Sequence, residues 1–290
     1  MPEYTSGQTL RLRDGRILGF AVYGDPNGKP GFYLHGFPGT RLEARIGDAA
    51  AKRLGIRIIA PDRPGFGLSD FKPGRTIADW TDDLVEAADA LGIGRFPVIG
   101  LSGGGPYAAA CALRIPHRLT SVAIVSSMGP VHIPGATNGM GRQSQVFFAL
   151  ARRLPWITHP AMWWLGRQAR RDVGRLLDRM SAGLPAADRA ILARPEVRAG
   201  LQDDIAEAFR RGSRGAAWEL SLLTRPWGFR PEEIQMEVHL WHGEADVSVS
   251  PSMGRYLASA IPNCHARFYP GEGHLLAVDR MEEIQAALFS

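Results

Sequence analysis

Near the start of the chain two short runs, TLRLRD and ILGFAVYG, flank the turn pair Asp14-Gly15, a pattern that predicts an antiparallel hairpin. Beyond it the pattern changes. PGFYLHG, IRIIAPDRPG, FPVIGLSGG and LTSVAIVSS are nearly continuous apolar runs of the kind that strands buried on both faces require. Helical stretches lie between them, at about 41–54, 76–91 and 104–114. This alternation predicts a mostly parallel sheet with helices on both faces. After Ser127 it stops, and for about a hundred residues the chain reads as helices interrupted by Gly and Pro. It resumes with VHLWHGEAD, a helix near 250–260, the strand ARFYPGEG and a last helix near 275–288. The expected organisation is therefore an α/β core, residues 1–129 and 231–290, with a helical insertion at 130–230. No internal repeat stands out.

Composition changes this picture little. With 290 residues, 45% hydrophobic and 22% charged, the chain suits one large globular domain or a domain carrying an insertion. Its N-terminus lacks a basic start followed by a sustained apolar segment, and nowhere do 18 apolar residues run together. A cytoplasmic protein without stable membrane insertion is expected. Cys111 and Cys264 are too few for a disulfide framework and lack metal-ligand spacing, so they read as free thiols.

Charge adds one feature. Residues 131–230 hold 16 Arg against 8 Asp and Glu, whereas the rest of the chain is slightly acidic. Such a segment could draw in anionic substrates, nucleic acid or a lipid surface, but charges spaced along helices are ordinarily a solvated face. No nucleic-acid motif accompanies the arginines, so no nucleic-acid partner is expected. FFALARRLPW combines aromatic residues with arginine and is the one stretch suited to touching a membrane surface. The tryptophans of the insertion, Trp156, Trp163, Trp164, Trp218 and Trp227, are expected mostly to pack it onto the core, some of them lining an apolar pocket.

The candidate chemistry begins at VIGLSGGGPYAAA, where Gly100, Ser102 and Gly104 fit G-x-S-x-G at the junction of an apolar strand and a helix. Glycines there allow close approach of strand and helix backbones, and the helix N-terminus offers unpaired N–H groups. Gly103, Gly105 and Ala108 also fit a dinucleotide fingerprint, but that motif wants an acid about 20 residues later. The next acid after Gly105 is Asp172, which removes nucleotide binding. A serine hydroxyl needs a base and a group that orients it. GEAD places Asp246 and GEGH places His274 in loops after successive strands, at the carboxyl ends where open α/β sheets build sites. His242 competes with His274 but reads as a structural hydrogen-bonding residue, and Glu244 replaces Asp246 only if the loop register differs. The remaining histidines, His117, His132, His159, His239 and His265, lack a strand-end context shared with an acid. For an oxyanion, HGFPG supplies a glycine-containing loop whose Phe37 amide joins that of Gly103. His35 is expected to brace that loop, and Asp62, Arg63 and Ser69 to tie loops together.

Together, HGFPG, DRPGFGLSD, GLSGG, GEAD and GEGH resemble the α/β-hydrolase superfamily over about 1–129 and 231–290, in particular the branch with a helical lid between the sixth and seventh strands. The resemblance implies Ser102 as nucleophile, Asp246 as orienting acid, His274 as base and the Phe37 and Gly103 amides as oxyanion hole. It implies no cofactor and no metal. Epoxide hydrolases and haloalkane dehalogenases of this branch carry Asp at the elbow, which Ser102 does not match. Their epoxide hydrolases also use lid tyrosines, and none occurs between Tyr107 and Tyr256. Proline iminopeptidases differ at the first Gly-rich motif and carry Trp in the elbow. The expected activity is hydrolysis of a small to medium hydrophobic ester through an acyl-enzyme. Alternatives are C–C hydrolysis, thioester or lactone cleavage, perhydrolysis, or a non-enzymatic ligand-binding protein on this fold. A homodimer is compatible with the sequence.

Overall fold

The computed structural model describes residues 7–289. The opening hairpin forms as expected from β1 (Gln8–Arg11) and β2 (Ile17–Gly24), with Gly15 at φ +88° in the turn. Then β3 (Lys29–Leu34), α1 (Asp48–Arg53), β4 (Ile56–Pro61), α2 (Trp80–Ala90), β5 (Phe96–Leu101), α3 (Gly105–Arg114) and β6 (Leu119–Val125) alternate. Five helices follow: α4 (Arg142–Arg153), α5 (Thr158–Ser181), α6 (Ala186–Leu192), α7 (Pro195–Ala208) and α8 (Arg214–Leu223). The chain closes with β7 (Val238–Gly243), α9 (Pro251–Ala260), β8 (Cys264–Tyr269) and α10 (Leu276–Phe289). The eight strands form one sheet in the order β1-β2-β4-β3-β5-β6-β7-β8. β2 runs antiparallel to β1 and β4, and the remaining pairs are parallel.

The continuous apolar runs are explained by two cores. Along β6, Val122 and Ile124 enter the core shared with α2, α3 and α9, whereas Ala123 and Val125 enter the one shared with α1 and α10. Side chains still alternate with period two, but both faces are covered, so no position asks for a polar residue.

Two predicted helices are shorter than expected. The segment at 76–79 is held out of α2 by reciprocal bonds, the Thr76 amide donating to Asp79 Oδ2 (2.8 Å) and the Asp79 amide to Thr76 Oγ1 (3.2 Å). The helix expected at 41–54 begins as a 3₁₀ turn, Glu43–Gly47, and becomes α-helical only at Asp48. Its first residues are drawn elsewhere, the Arg41 amide to Asp62 Oδ1 and the Glu43 carboxylate to the Gly36 amide. In α5, Asp172 leaves helical geometry (φ −163°, ψ 88°) and its Oδ1 accepts the Arg175 amide, capping the second half of a kinked helix.

Helices α4–α8 have an apolar core of their own, centred on Met162, Leu176, Phe209 and Leu220, which also takes Phe66, Phe37 and Leu275 from the rest of the chain. The tryptophans correct the sequence expectation. Trp227 is buried and Trp218 half-buried, its Nε1 donating to the Arg75 carbonyl, but Trp156, Trp163 and Trp164 are exposed. On α5 the inward positions are Met162, Gly166 and Ala169, with helical spacing, and this leaves Trp163 and Trp164 facing solvent.

Candidate active site

Ser102 stands where β5 ends and α3 begins, at φ +51°, a left-handed conformation in which a non-glycine residue is strained. The strain is held by close packing. A Cβ on Gly104 would fall 2.1 Å from the Leu34 carbonyl oxygen, and one on Gly100 2.7 Å from the Ala108 methyl. These glycines let β5, α3 and the end of β3 meet, and the turn presents Ser102 to a cavity of about 690 Å³.

His274 lines the same cavity, as does Phe37. The His274 ring is fixed from behind: Nδ1–H donates to Asp246 Oδ2 at 2.8 Å, a tautomer set by the carboxylate acceptor. Asp246 is buried, and its other oxygen accepts the Ser248 and Val249 amides at 2.8 Å each. Burial alone would lower the His274 pKa, but the charge and hydrogen bond of Asp246, with the charges of Asp188 and Glu43, raise it above the usual imidazole range. Ser102 and His274 thus share one space, although among the described residues no hydrogen bond joins them.

The two expected oxyanion donors are neighbours. A Cβ on Gly103 would meet the Phe37 Cβ at 2.6 Å and its amide nitrogen at 3.1 Å. Neither amide has an acceptor among the described residues. The loop carrying Phe37 is braced as the sequence suggested: His35 Nε2 accepts the Arg63 amide at 3.1 Å, and Arg63 Nη2 donates to the Gly36 carbonyl at 2.8 Å. Burial, then the Arg63 charge, pushes the His35 pKa well below its usual value, so this ring stays neutral and structural. Asp62 accepts the Arg41 and Leu68 amides, while Ser69 Oγ donates to the Asp62 carbonyl. His242 also stays structural. It is buried, its Nε2 meets the Val249 carbonyl at 3.1 Å, and burial lowers its pKa. Glu244 turns to solvent and pairs with Arg255.

Four carboxyl groups escaped the sequence. Glu43 lines the cavity over Gly36, where a single point lies 2.9 Å from its Oε1 and 3.4 Å from Ser102 Cβ. Its Oε2 accepts the Gly36 amide at 2.6 Å, and burial pushes its pKa up to about 7. Asp204, on α7, accepts the Thr40 amide at 2.9 Å and is raised well above the usual carboxylate range by burial and then by Glu43. Asp188, on α6, accepts the amides of His274 and Leu275. Glu219, on α8, bridges Arg63, Arg75 and Tyr107, all buried, and the two arginines more than offset its burial and hold its pKa low. Nothing local marks these residues, since their partners stand 86 to 164 positions away for Asp188, Glu219 and Asp204.

Comparison with known proteins now decides the family. A family model described as alpha/beta hydrolase fold matches residues 32–280. The chain belongs to the alpha/beta hydrolase family. Within this family it is similar to the 2-hydroxymuconate semialdehyde hydrolase of Pseudomonas putida, 26% identical over 237 residues, 78% of this chain and 73% of that one. Among solved structures, an esterase from Thermogutta terrifontis aligns with a TM-score of 0.67 at 24% identity, over 97% of this chain and 96% of that one. An enol-lactonase from Burkholderia xenovorans LB400 aligns at 0.68 and 21%, covering 97% of each. Among the described residues no helix is long and apolar enough to cross a membrane.

Proposed function

We propose that the chain is a cofactor-free serine hydrolase that cleaves carboxylic esters of small to medium hydrophobic compounds. The observation that carries this reading is one constellation. Ser102, on a positive-φ turn, faces the same cavity as His274, whose Nδ1–H is bound to buried Asp246. In the reaction His274 Nε2 takes the Ser102 proton as Oγ attacks the carbonyl carbon, and the Phe37 and Gly103 amides receive the oxyanion. His274 then gives its proton to the leaving alcohol and afterwards activates water against the acyl-enzyme. Asp246 holds the tautomer throughout.

The apolar part of the cavity wall supports this substrate class. Leu177, Leu184, Leu192, Val197 and Ile205, all from segment 130–230, line it opposite Leu101 and Ser102. On this reading the segment is the lid of the site, and its apolar wall accommodates an alkyl or aryl group. Because the chain resembles a semialdehyde hydrolase, C–C cleavage by the same residues is the second reading. Intact-protein mass after treatment with a fluorophosphonate probe tests the first step. A single adduct, absent in Ser102→Ala and His274→Ala, supports an activated serine, and a panel of p-nitrophenyl esters, lactones and vinylogous diketones then ranks the bond. No adduct on folded protein transfers the weight to a ligand-binding role.

A further inference from the structure

We propose that Asp188 is a positioning residue for the catalytic base, a carboxylate from the helical segment that holds the backbone of the His274 loop and makes the base depend on that segment being seated. The proposal rests on the reading of His274 as base.

Three observations converge. Asp188 is fully buried on α6, and its two oxygens accept one amide each, Oδ2 from His274 and Oδ1 from Leu275, both at 2.9 Å. These amides lie directly before α10, so the carboxylate sits at the N-terminus of that helix, where negative charge is favourable, and reaches it from a distant part of the chain. Gly273 completes the nest. A Cβ there would lie 2.2 Å from Asp188 Oδ2 and 2.4 Å from its carboxyl carbon, so the volume of a side chain at 273 is already occupied by this carboxylate. The glycine before the histidine in GEGH is thereby explained by a residue 85 positions upstream, α6 and the histidine loop being shaped to one another.

Asp246 and Asp188 divide the work on His274. Asp246 binds the ring and fixes its tautomer; Asp188 binds the main chain from which the ring hangs. The groups facing the imidazole are Asp246 and His242 from the β7 side, Glu43 from the 3₁₀ turn and Asp188 from α6, and Asp188 adds negative charge to that set. A second tie joins the same two segments, since Arg194, just after α6, makes two hydrogen bonds to Asp279 of α10. Lifting α6 away would remove two acceptors from the histidine loop and one anion from its surroundings.

The test is the pH dependence of kcat and kcat/KM on a p-nitrophenyl ester for wild type, Asp188→Asn and Asp188→Ala, beside probe labelling and thermal melts. Asparagine keeps the shape but offers an NH₂ to one of the two amides. The expected result is a kcat loss of about 100-fold with little change in KM, as for a small misplacement of a reacting group. The acid limb should also move to lower pH, because His274 loses an anion that favours its protonated form. Added formate should restore part of the rate of Asp188→Ala and leave wild type unchanged. A folded Asp188→Asn enzyme with wild-type kcat, or with lower kcat but an unmoved acid limb and no formate rescue of Asp188→Ala, overturns the proposal and reduces Asp188 to packing. Unlabelled, inactive wild type overturns the serine-hydrolase reading itself. Should both variants fail to fold, hydrogen exchange of the wild type decides: the His274 and Leu275 amides should lose protection together with α6, and independent exchange refutes the coupling.

Discussion

The sheet with its flanking helices and the segment α4–α8 are held by different forces. The sheet is buried by apolar side chains on both faces. The helical segment has an apolar core too, which reaches Phe37, Phe66 and Leu275, but its attachment adds buried ionic and polar ties: Glu219 to Arg63 and Arg75, Asp204 to Thr40, Glu207 to Arg41, Asp188 to the histidine loop. Its arginines behave in the opposite way, all but Arg194 and Arg198 being exposed. The net basic charge of residues 131–230 is therefore an outward property, while four of their eight acids, Asp188, Asp204, Glu207 and Glu219, turn inward to the loops that carry the candidate chemistry. Apolar contacts tolerate small slips, whereas a buried carboxylate without its partner is strongly penalised, so ionic anchors define one seat.

The largest expected effects separate the two regions by function. Ser102→Ala and His274→Ala should each lower kcat on an ester by about a million-fold, and Asp246→Asn by about 10⁴-fold, with thermal stability nearly unchanged in Ser102→Ala. A variant that retains ester turnover would take the chemistry away from these loops. The seat is probed next. Glu219→Gln leaves Arg63 and Arg75 buried without their anion and should destabilise by about 3–5 kcal/mol in urea unfolding. A loss near zero would mean that the apolar contacts alone seat the segment. A smaller loss, about 1–3 kcal/mol, is expected for Gly104→Ala, whose methyl must push against the Leu34 carbonyl. That change strains the sheet side of the site and should leave the insertion's own unfolding unaffected.

The same division decided what could be read in the sequence. Every apolar run became a strand, and Asp246 and His274 fell in loops at strand ends where they meet, because burial on two faces and turn chemistry leave local marks. Local competition spoiled the helix starts. Thr76 and Asp79 look like helix residues until their side chains take each other's amides. The tryptophans misled for another reason: hydrophobicity names a candidate for burial, but the rotation of α5 about its axis, set by Gly166 against Phe209, chose which of them went inside. Asp188, Asp204 and Glu219 were illegible because a long-range pairing has no pattern along the chain. The one hint was Gly273, a glycine beside the histidine with no turn of positive φ to require it.

Glu43 offers the smallest and most informative test, because it lies where the two regions meet. Burial pushes its pKa up from the carboxylate range to about 7, against the pull of the Gly36 amide it accepts, and its charge in turn raises Asp204 of α7. A raised acid keeps its proton in the folded state while the unfolded chain releases it. Stability from this group is thus fully present below the ordinary carboxylate pKa and declines as pH rises through about 7. His274, Asp204, Asp188 and Asp62 are also raised and act in the same direction, while the lowered His35 and His242 act oppositely on the acid side, so the Glu43 contribution is read from the difference between wild type and variant from about pH 5 to about pH 8. Glu43→Gln removes the Glu43 contribution alone. Melts across this range should show a shallower decline, the variant gaining on wild type as pH rises even if it starts lower for want of a good acceptor at Gly36. Parallel curves would mean that Glu43 is ionised throughout. In that case the cavity beside Ser102 would carry a full negative charge at neutral pH, and the esters it favours should be cationic near the acyl carbon rather than purely apolar.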